Sequence, residues 1–235
     1  MDLDADKMLV EINSGNSLSG ETLARVASYL ESIDLNEAAG LDLDNMYALL
    51  LVLGRAKSYE HGYLFEKFFE LHDAMTAVMI LETLCIDWDK TDEYLEHVLR
   101  FALGAAWDED DDVRQLSLKI IGEHVRSLRL EGETNPSQFH HMKRLIELLL
   151  RTFEDESLDP WVRQAAYRAL GRIAMKDWEE LPGECSVPNF DPASGSFDPE
   201  IVEGGVQLVS ELSSNSAASS STSVSELIPG GPGIR

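Results

Sequence analysis

Five contiguous carboxylates, DEDDD from Asp108 to Asp112, form the densest group of potential ligands in the chain. Calcium loops alternate their ligands over about twelve residues around a central Gly and end in a Glu. This run is unbroken and lacks both features. It reads as a solvated turn whose carboxylates favour the N-terminus of the helix that follows, with contact to a partner as the functional alternative. His140 and His141 are adjacent, so on a helix they point about 100° apart and cannot share a metal as an i, i+4 pair would. Glu93 with Glu96, and Glu179 with Glu180, have the types needed for acid–base work. They lie at helix ends with no pocket motif beside them and read as solvated carboxylates. There is no GxSxG, HExxH, P-loop or GxGxxG pattern, so neither a catalytic residue nor a cofactor is expected. Two arginines in matching contexts remain: Arg114 in DDVRQLSLKIIG and Arg163 in DPWVRQAAYRALG, each eight residues before a Gly. Nearby acids make a structural ion pair the simpler reading of both than phosphate binding.

The elements that would carry these residues are helical nearly throughout, up to about residue 180. Ser19, Asp44 or Asn45, Asp73, Thr91, Asp111 or Asp112, and Asp159 followed by Pro160 each read as helix starts. Eight helices with short connections imply four antiparallel pairs. The second helices align in register: Thr76, Met79, Ile80, Thr83 and Leu84 match Val113, Leu116, Ser117, Ile120 and Ile121. These in turn match Val162, Ala165, Ala166, Ala169 and Leu170. Met46, Leu49, Leu50, Leu53 and Gly54 fit more loosely. The spacing i, i+3, i+4, i+7, i+8 predicts one buried face per helix, and a unit that recurs is a stacking unit. Gly122 and Gly171 fall inside helices, where they allow close packing. Trp107 and Trp161 flank corresponding turns and are expected to pack at edges between repeats.

The acid turn, Val162-Arg163, Ala165-Ala166 and Ala169-Leu170-Gly171 resemble the second helix of a HEAT repeat, an armadillo-type unit. The resemblance covers about residues 19–180. Across the whole chain it extends to small acidic bacterial HEAT-like proteins sharing DEYLEHVLRFALGAAWDEDDDVR and the DWEELP exit. It implies an all-α fold, an α-solenoid of about four antiparallel helix pairs, with an irregular C-terminal segment. It also implies a ladder in which a turn Asp pairs with the Arg of the next helix. Asp108 and Arg114 have the six-residue offset of that ladder. Ser157 occupies the offset from Arg163, so Asp155, Glu156 or Asp159 has to stand in, and the expected ladder is Asp108–Arg114 with Asp159–Arg163.

Outside the repeats, residues 1–18 read as a lead-in. Residues 181–212 read as an irregular wrap anchored by Trp178, Val187, Phe190 and Phe197, followed by a capping helix from Asp198-Pro199 that Gly204-Gly205 weakens. The Ser-, Gly- and Pro-rich residues 213–235 read as disordered.

Charge bounds the function. The chain of 235 residues carries 43 acidic and 19 basic side chains, net −24. Residues 1–176 alone hold 33 acids against 18 bases. Such a surface repels phosphate backbones, which disfavours nucleic acid, and speeds encounter with a basic protein. No apolar run approaches the roughly 18 residues of a membrane helix, and the acidic start MDLDADKMLVEIN is not a signal peptide. Cys85 and Cys185 show no metal or disulfide spacing, so a cytoplasmic location is expected. The expected function is that of a monomeric, non-catalytic protein binder. A concrete version is an immunity- or antitoxin-like inhibitor of a basic partner, meeting it through Asp108, Glu109, Asp110, Asp111, Asp112, Glu154, Asp155 and Glu156. The rival is an enzyme on the same scaffold. A DNA glycosylase would need a basic groove, and a phycobilin-lyase-type protein would need chromophore-handling side chains; the sequence displays neither.

Overall fold

The computed structural model describes residues 3–35, 42–131, 136–176 and 198–222, the last eight of these as backbone only. Among the described residues there are ten α-helices and no strand. They are α1 (Ala5–Asn13), α2 (Gly20–Ser32), α3 (Leu43–Arg55), α4 (Gly62–Phe68), α5 (Ala74–Leu81), α6 (Thr91–Ala102), α7 (Asp112–Glu131), α8 (Pro136–Glu154), α9 (Pro160–Ile173) and α10 (Pro199–Thr222). The chain divides into two compact units, Met1–Ile120 and Ile121–Arg235, with the division inside α7.

In the first unit, Asp4, Ser19, Asp42 and Asp73 each accept the backbone N–H three residues on and so start α1, α2, α3 and α5. Each bond satisfies one of the donors a helix start leaves unpaired. The lead-in therefore carries a helix, α1, which packs on α3. The segment Tyr59–Leu71 is built from three short pieces. A 3₁₀ turn (Tyr59–His61) precedes α4 and another (Phe69–Leu71) follows it, ending at His72 in the left-handed region with φ 56°. After α5 the helix widens to a π-helix over Glu82–Asp87. Its residue Thr83 faces Gly54, where a Cβ would lie 2.9 Å from Thr83 Cγ2. Trp88 Nε1 donates to the Gly54 carbonyl at 3.0 Å. Gly54 thus leaves space on α3 for the Thr83 side chain of the wide turn. The core of this unit is filled by Leu30, Leu49, Leu50, Leu53, Phe65, Phe68, Phe69 and Phe101. Cys85 is buried, and that burial pushes its thiol up to about 11, so it is inert as a nucleophile.

In the second unit, α8 packs on α9, and α10 lies against both. Helix α7 approaches α9 at Gly122: a Cβ there would lie 2.8 Å from Ala169 Cα and Cβ. The aligned positions of the three second helices are buried except Ala165, which is half-buried. On α9 the buried face also includes Gln164 and Tyr167. Helix α10 runs through Gly204-Gly205 and onward to Thr222, so residues 213–222 extend a helix where the Ser-rich composition predicts disorder. Gly205 faces Leu170 and Leu150, with 3.2 Å and 3.4 Å from a Cβ position to their Cδ2 atoms. Gly205 is thus a packing position, whose contact offsets the weak helix propensity of glycine, while Gly204 faces open space. Trp178, Cys185, Val187, Phe190, Phe197, Glu179, Glu180 and residues 223–235 lie outside the described residues.

Candidate functional site

The acidic run forms the corner between α6 and α7. Asp108 is 5% exposed, and its Oδ2 accepts the backbone N–H groups of Val113 (3.0 Å) and Arg114 (3.2 Å). Its Oδ1 is also buried and has no hydrogen-bond partner among the described residues. Burial raises its carboxyl above the usual 3.8, against the pull of those two N–H groups, and the charges of Asp111 and Asp112 add to the rise. Asp111 takes a left-handed conformation, φ 55°, which turns the chain into α7. Glu109, Asp110 and Asp112 face solvent.

The ladder differs from its expected form. Asp108 meets Arg114 through the arginine's backbone N–H rather than its guanidinium. That guanidinium turns back: Nε donates to the Ala102 carbonyl at the end of α6, 3.2 Å away. Nη1 lies 3.7 Å from Asp111 Oδ1. Gly104, at φ 98°, takes the left-handed turn that follows α6 beside this guanidinium, a conformation that favours glycine. The physical reason is that the last carbonyls of α6 have no helical partner and sit at the negative end of the helix dipole, so a cation is favoured there.

The corner between α8 and α9 repeats this outcome with other residues. Asp159 caps α9 through the Trp161 N–H at 2.7 Å and does not pair with the Arg163 guanidinium. Arg163 Nε instead donates to the Phe153 carbonyl in the last turn of α8, 2.9 Å away, and its head lies 5.8 Å from the Phe153 ring. Asp155 Oδ1 accepts from Ser157 N and Oγ, which fixes the turn. Glu154, Asp155 and Glu156 are exposed.

The remaining candidates separate. His140 faces solvent, while His141 stands edge-on to His124 of α7 with centroids 6.2 Å apart. Glu93 pairs with Lys90 at 2.9 Å and Glu96 is exposed. Trp107 stacks on His72 (5.6 Å) and meets the Phe101 ring edge-on (5.8 Å). Among the described residues no three His, Cys, Asp or Glu side chains form a cluster able to hold a metal ion, and no helix is long and apolar enough to cross a membrane.

One charged contact escaped the sequence reading. Arg172 is 6% exposed and its Nε lies 2.7 Å from Glu123 Oε1. Its Nη1 donates to the Lys176 carbonyl at 2.7 Å. Glu123 directly follows Gly122 and Arg172 directly follows Gly171, so the aligned glycines were the available signal. Comparison with family models, with curated proteins and with solved structures finds no match to this chain.

Proposed function

We propose that this chain is a non-catalytic binding protein that captures a basic partner protein, and that its eight central helices stack as four HEAT-like antiparallel pairs. The repeat reading rests on the two arginines that cap the preceding helix in the same way, on the aligned buried faces, and on Gly122 against Ala169. The observation that carries the binding reading is where the charge lies. Residues 1–120 hold 25 acidic and 9 basic side chains, and residues 121–176 hold 8 and 9. The acidic excess of residues 1–176 therefore belongs to residues 1–120, the first unit, whose α6–α7 corner presents Glu109, Asp110 and Asp112 on a backbone held by Asp108 and Arg114. Fixed, solvated carboxylates steer a cationic surface and add rate more than affinity. Inhibition of a basic enzyme by charge and shape is the concrete version.

The test is affinity capture from an extract of the source cell at low and at high salt, by the wild-type chain and by a Glu109→Gln, Asp110→Asn, Asp112→Asn variant. The expected result is a basic protein retained by the wild type at low salt, lost at high salt and weakened in the variant. Equal capture by both chains, or retention that ignores salt, would remove the acidic corner from the function.

A further inference from the structure

The second unit is close to neutral beneath α10, with 8 acidic and 9 basic side chains in residues 121–176. Residues 121–176 carry more basic than acidic side chains, in a chain of net −24. Residues 198–222 carry Asp198, Glu200, Glu203 and Glu211 with no Lys or Arg. An acidic helix therefore lies on the least acidic part of the molecule. Its contact face is amphipathic: Ile201 and Leu212 are buried, and Gly205 closes on Leu170 and Leu150. Charged and polar contacts hold its start. Lys176 Nζ pairs with Asp198 Oδ2, the Asp198 N–H donates to Tyr167 Oη at 2.8 Å, and Asp198 Oδ1 caps Glu200 N at 3.0 Å.

The fit is incomplete beyond that latch. A cleft of about 250 Å³ remains between α10 and the ends of α7 and α9, walled by Leu170, Ile173 and Leu208, with Arg129 and Glu211 also lining it. Gly204 contributes no side chain to it and has open space where a Cβ would be. Between the latch at Asp198 and the buried Leu212, α10 is crossed by two glycines and leaves this cleft unfilled, so its middle is its least secured part.

We infer that the face formed by α8, α9 and the C-terminal part of α7 is a docking site for an acidic amphipathic helix, held in cis by α10 and open to such a helix in trans when α10 lifts. The recognition chemistry is displayed by α10 itself: apolar residues at i, i+4, i+7 and i+11 (Ile201, Gly205, Leu208, Leu212) and an anionic N-terminus facing Lys176. Tethering gives α10 an effective concentration on the order of millimolar, so a free helix competes only after the latch is weakened. This inference is independent of the capture of a basic partner, because the two surfaces select opposite charges.

The test uses a fluorescein-labelled peptide of residues 198–214 and the full chain carrying Asp198→Ala and Ile201→Asp. Anisotropy is expected to show binding to this variant at least about tenfold tighter than to the wild type, the advantage the tether gives α10 in cis. The affinity should fall as salt rises, and a peptide with Glu200→Lys, Glu203→Lys and Glu211→Lys should lose it. Hydrogen exchange on the same variant should show α10 released and α8 and α9 still protected. Release without peptide binding overturns the inference. Should the variant expose α8 and α9 as well, the wild-type chain with millimolar peptide becomes the readout. Deprotection of α10 amides by the peptide then supports the site, and unchanged protection overturns it.

Discussion

At the α6–α7 corner a buried aspartate organises the turn; at the α8–α9 corner an exposed aspartate and a proline do. Asp108 sits inside and gathers two backbone N–H groups, while Asp159 stays at the surface and caps one. Arg114 lies beside a left-handed Gly104; Arg163 reaches Phe153 across a turn tied by Asp155 and Ser157. Both arginines nevertheless end on a carbonyl of the preceding helix's last residues. The shared element is the demand of an unpaired helix C-terminus, and the turn chemistry around it is free to vary. That freedom explains why the two corners look alike in Val-Arg-Gln and diverge on either side of it.

The largest expected effect contrasts the two glycine contacts. Gly122→Ala drives a Cβ into the backbone of Ala169, which cannot yield without moving α9. A loss of about 2–3 kcal/mol is expected, even after the gain of roughly 1 kcal/mol in helix propensity. Gly54→Ala meets the Thr83 side chain, which can shift, and should cost about half as much. Urea unfolding of the two variants measures both. Equal losses would mean that the second unit's close approach is no tighter than the first's.

Next in size is the contrast between the two aspartates. Asp108→Ala strands two buried N–H groups and should cost about 2–3 kcal/mol. Asp159→Ala removes a surface cap and should cost about 1 kcal/mol. Thermal melts that rank them in reverse would show that the α8–α9 corner, not the α6–α7 corner, depends on its carboxylate.

The corners also show how much of the molecule was legible. The helices of residues 19–176 follow in position from their apolar spacing, because burial of one face leaves a countable period. Not all their starts do: α3 is capped by Asp42 rather than Asp44 or Asn45, α6 begins at Thr91 with no side-chain cap, and Tyr59–Leu71 breaks into three short pieces. Gln164 and Tyr167 escaped because a buried polar residue breaks that period. Helix α1 escaped because Ala5 and Met8 are its only buried residues, too few to make a pattern. The end of α10 escaped because Ser-rich composition argues against helix, whereas residues 213–222 continue a helix that is seated on α8 and α9. At the corners the residues were found and their partners were not. Asp108–Arg114 matches in offset, but spacing cannot say whether a carboxylate meets an arginine's head or its backbone.

Asp108 also couples the α6–α7 corner to pH. In the folded chain burial holds the Asp108 carboxyl above its usual 3.8, so the folded state binds that proton more readily than the unfolded state does. As pH falls from neutral through the folded-state value toward 3.8, this residue's contribution to stability rises, and it is level on either side of that window. Asp108→Asn has no such titration. The stability of the wild type relative to this variant should therefore increase on acidification across the window, read from urea midpoints at several pH values. A constant or falling difference would mean that the two N–H bonds outweigh burial.

The smallest effect tests the element the corners share. Arg114→Gln and Arg163→Gln each remove a cation from a helix C-terminus, worth about 0.5–1 kcal/mol. If helix capping is the common role, the two losses should agree within error at high salt. At low salt Arg114→Gln should cost slightly more, because Arg114 also lies near Asp111 and Coulomb attraction between partly exposed groups is screened by ions. Arg163 has an aromatic neighbour instead of a paired carboxylate, so its loss should be nearly independent of salt. A salt-dependent Arg163→Gln would point to a carboxylate partner for that guanidinium and return the second corner to the ladder its sequence implied.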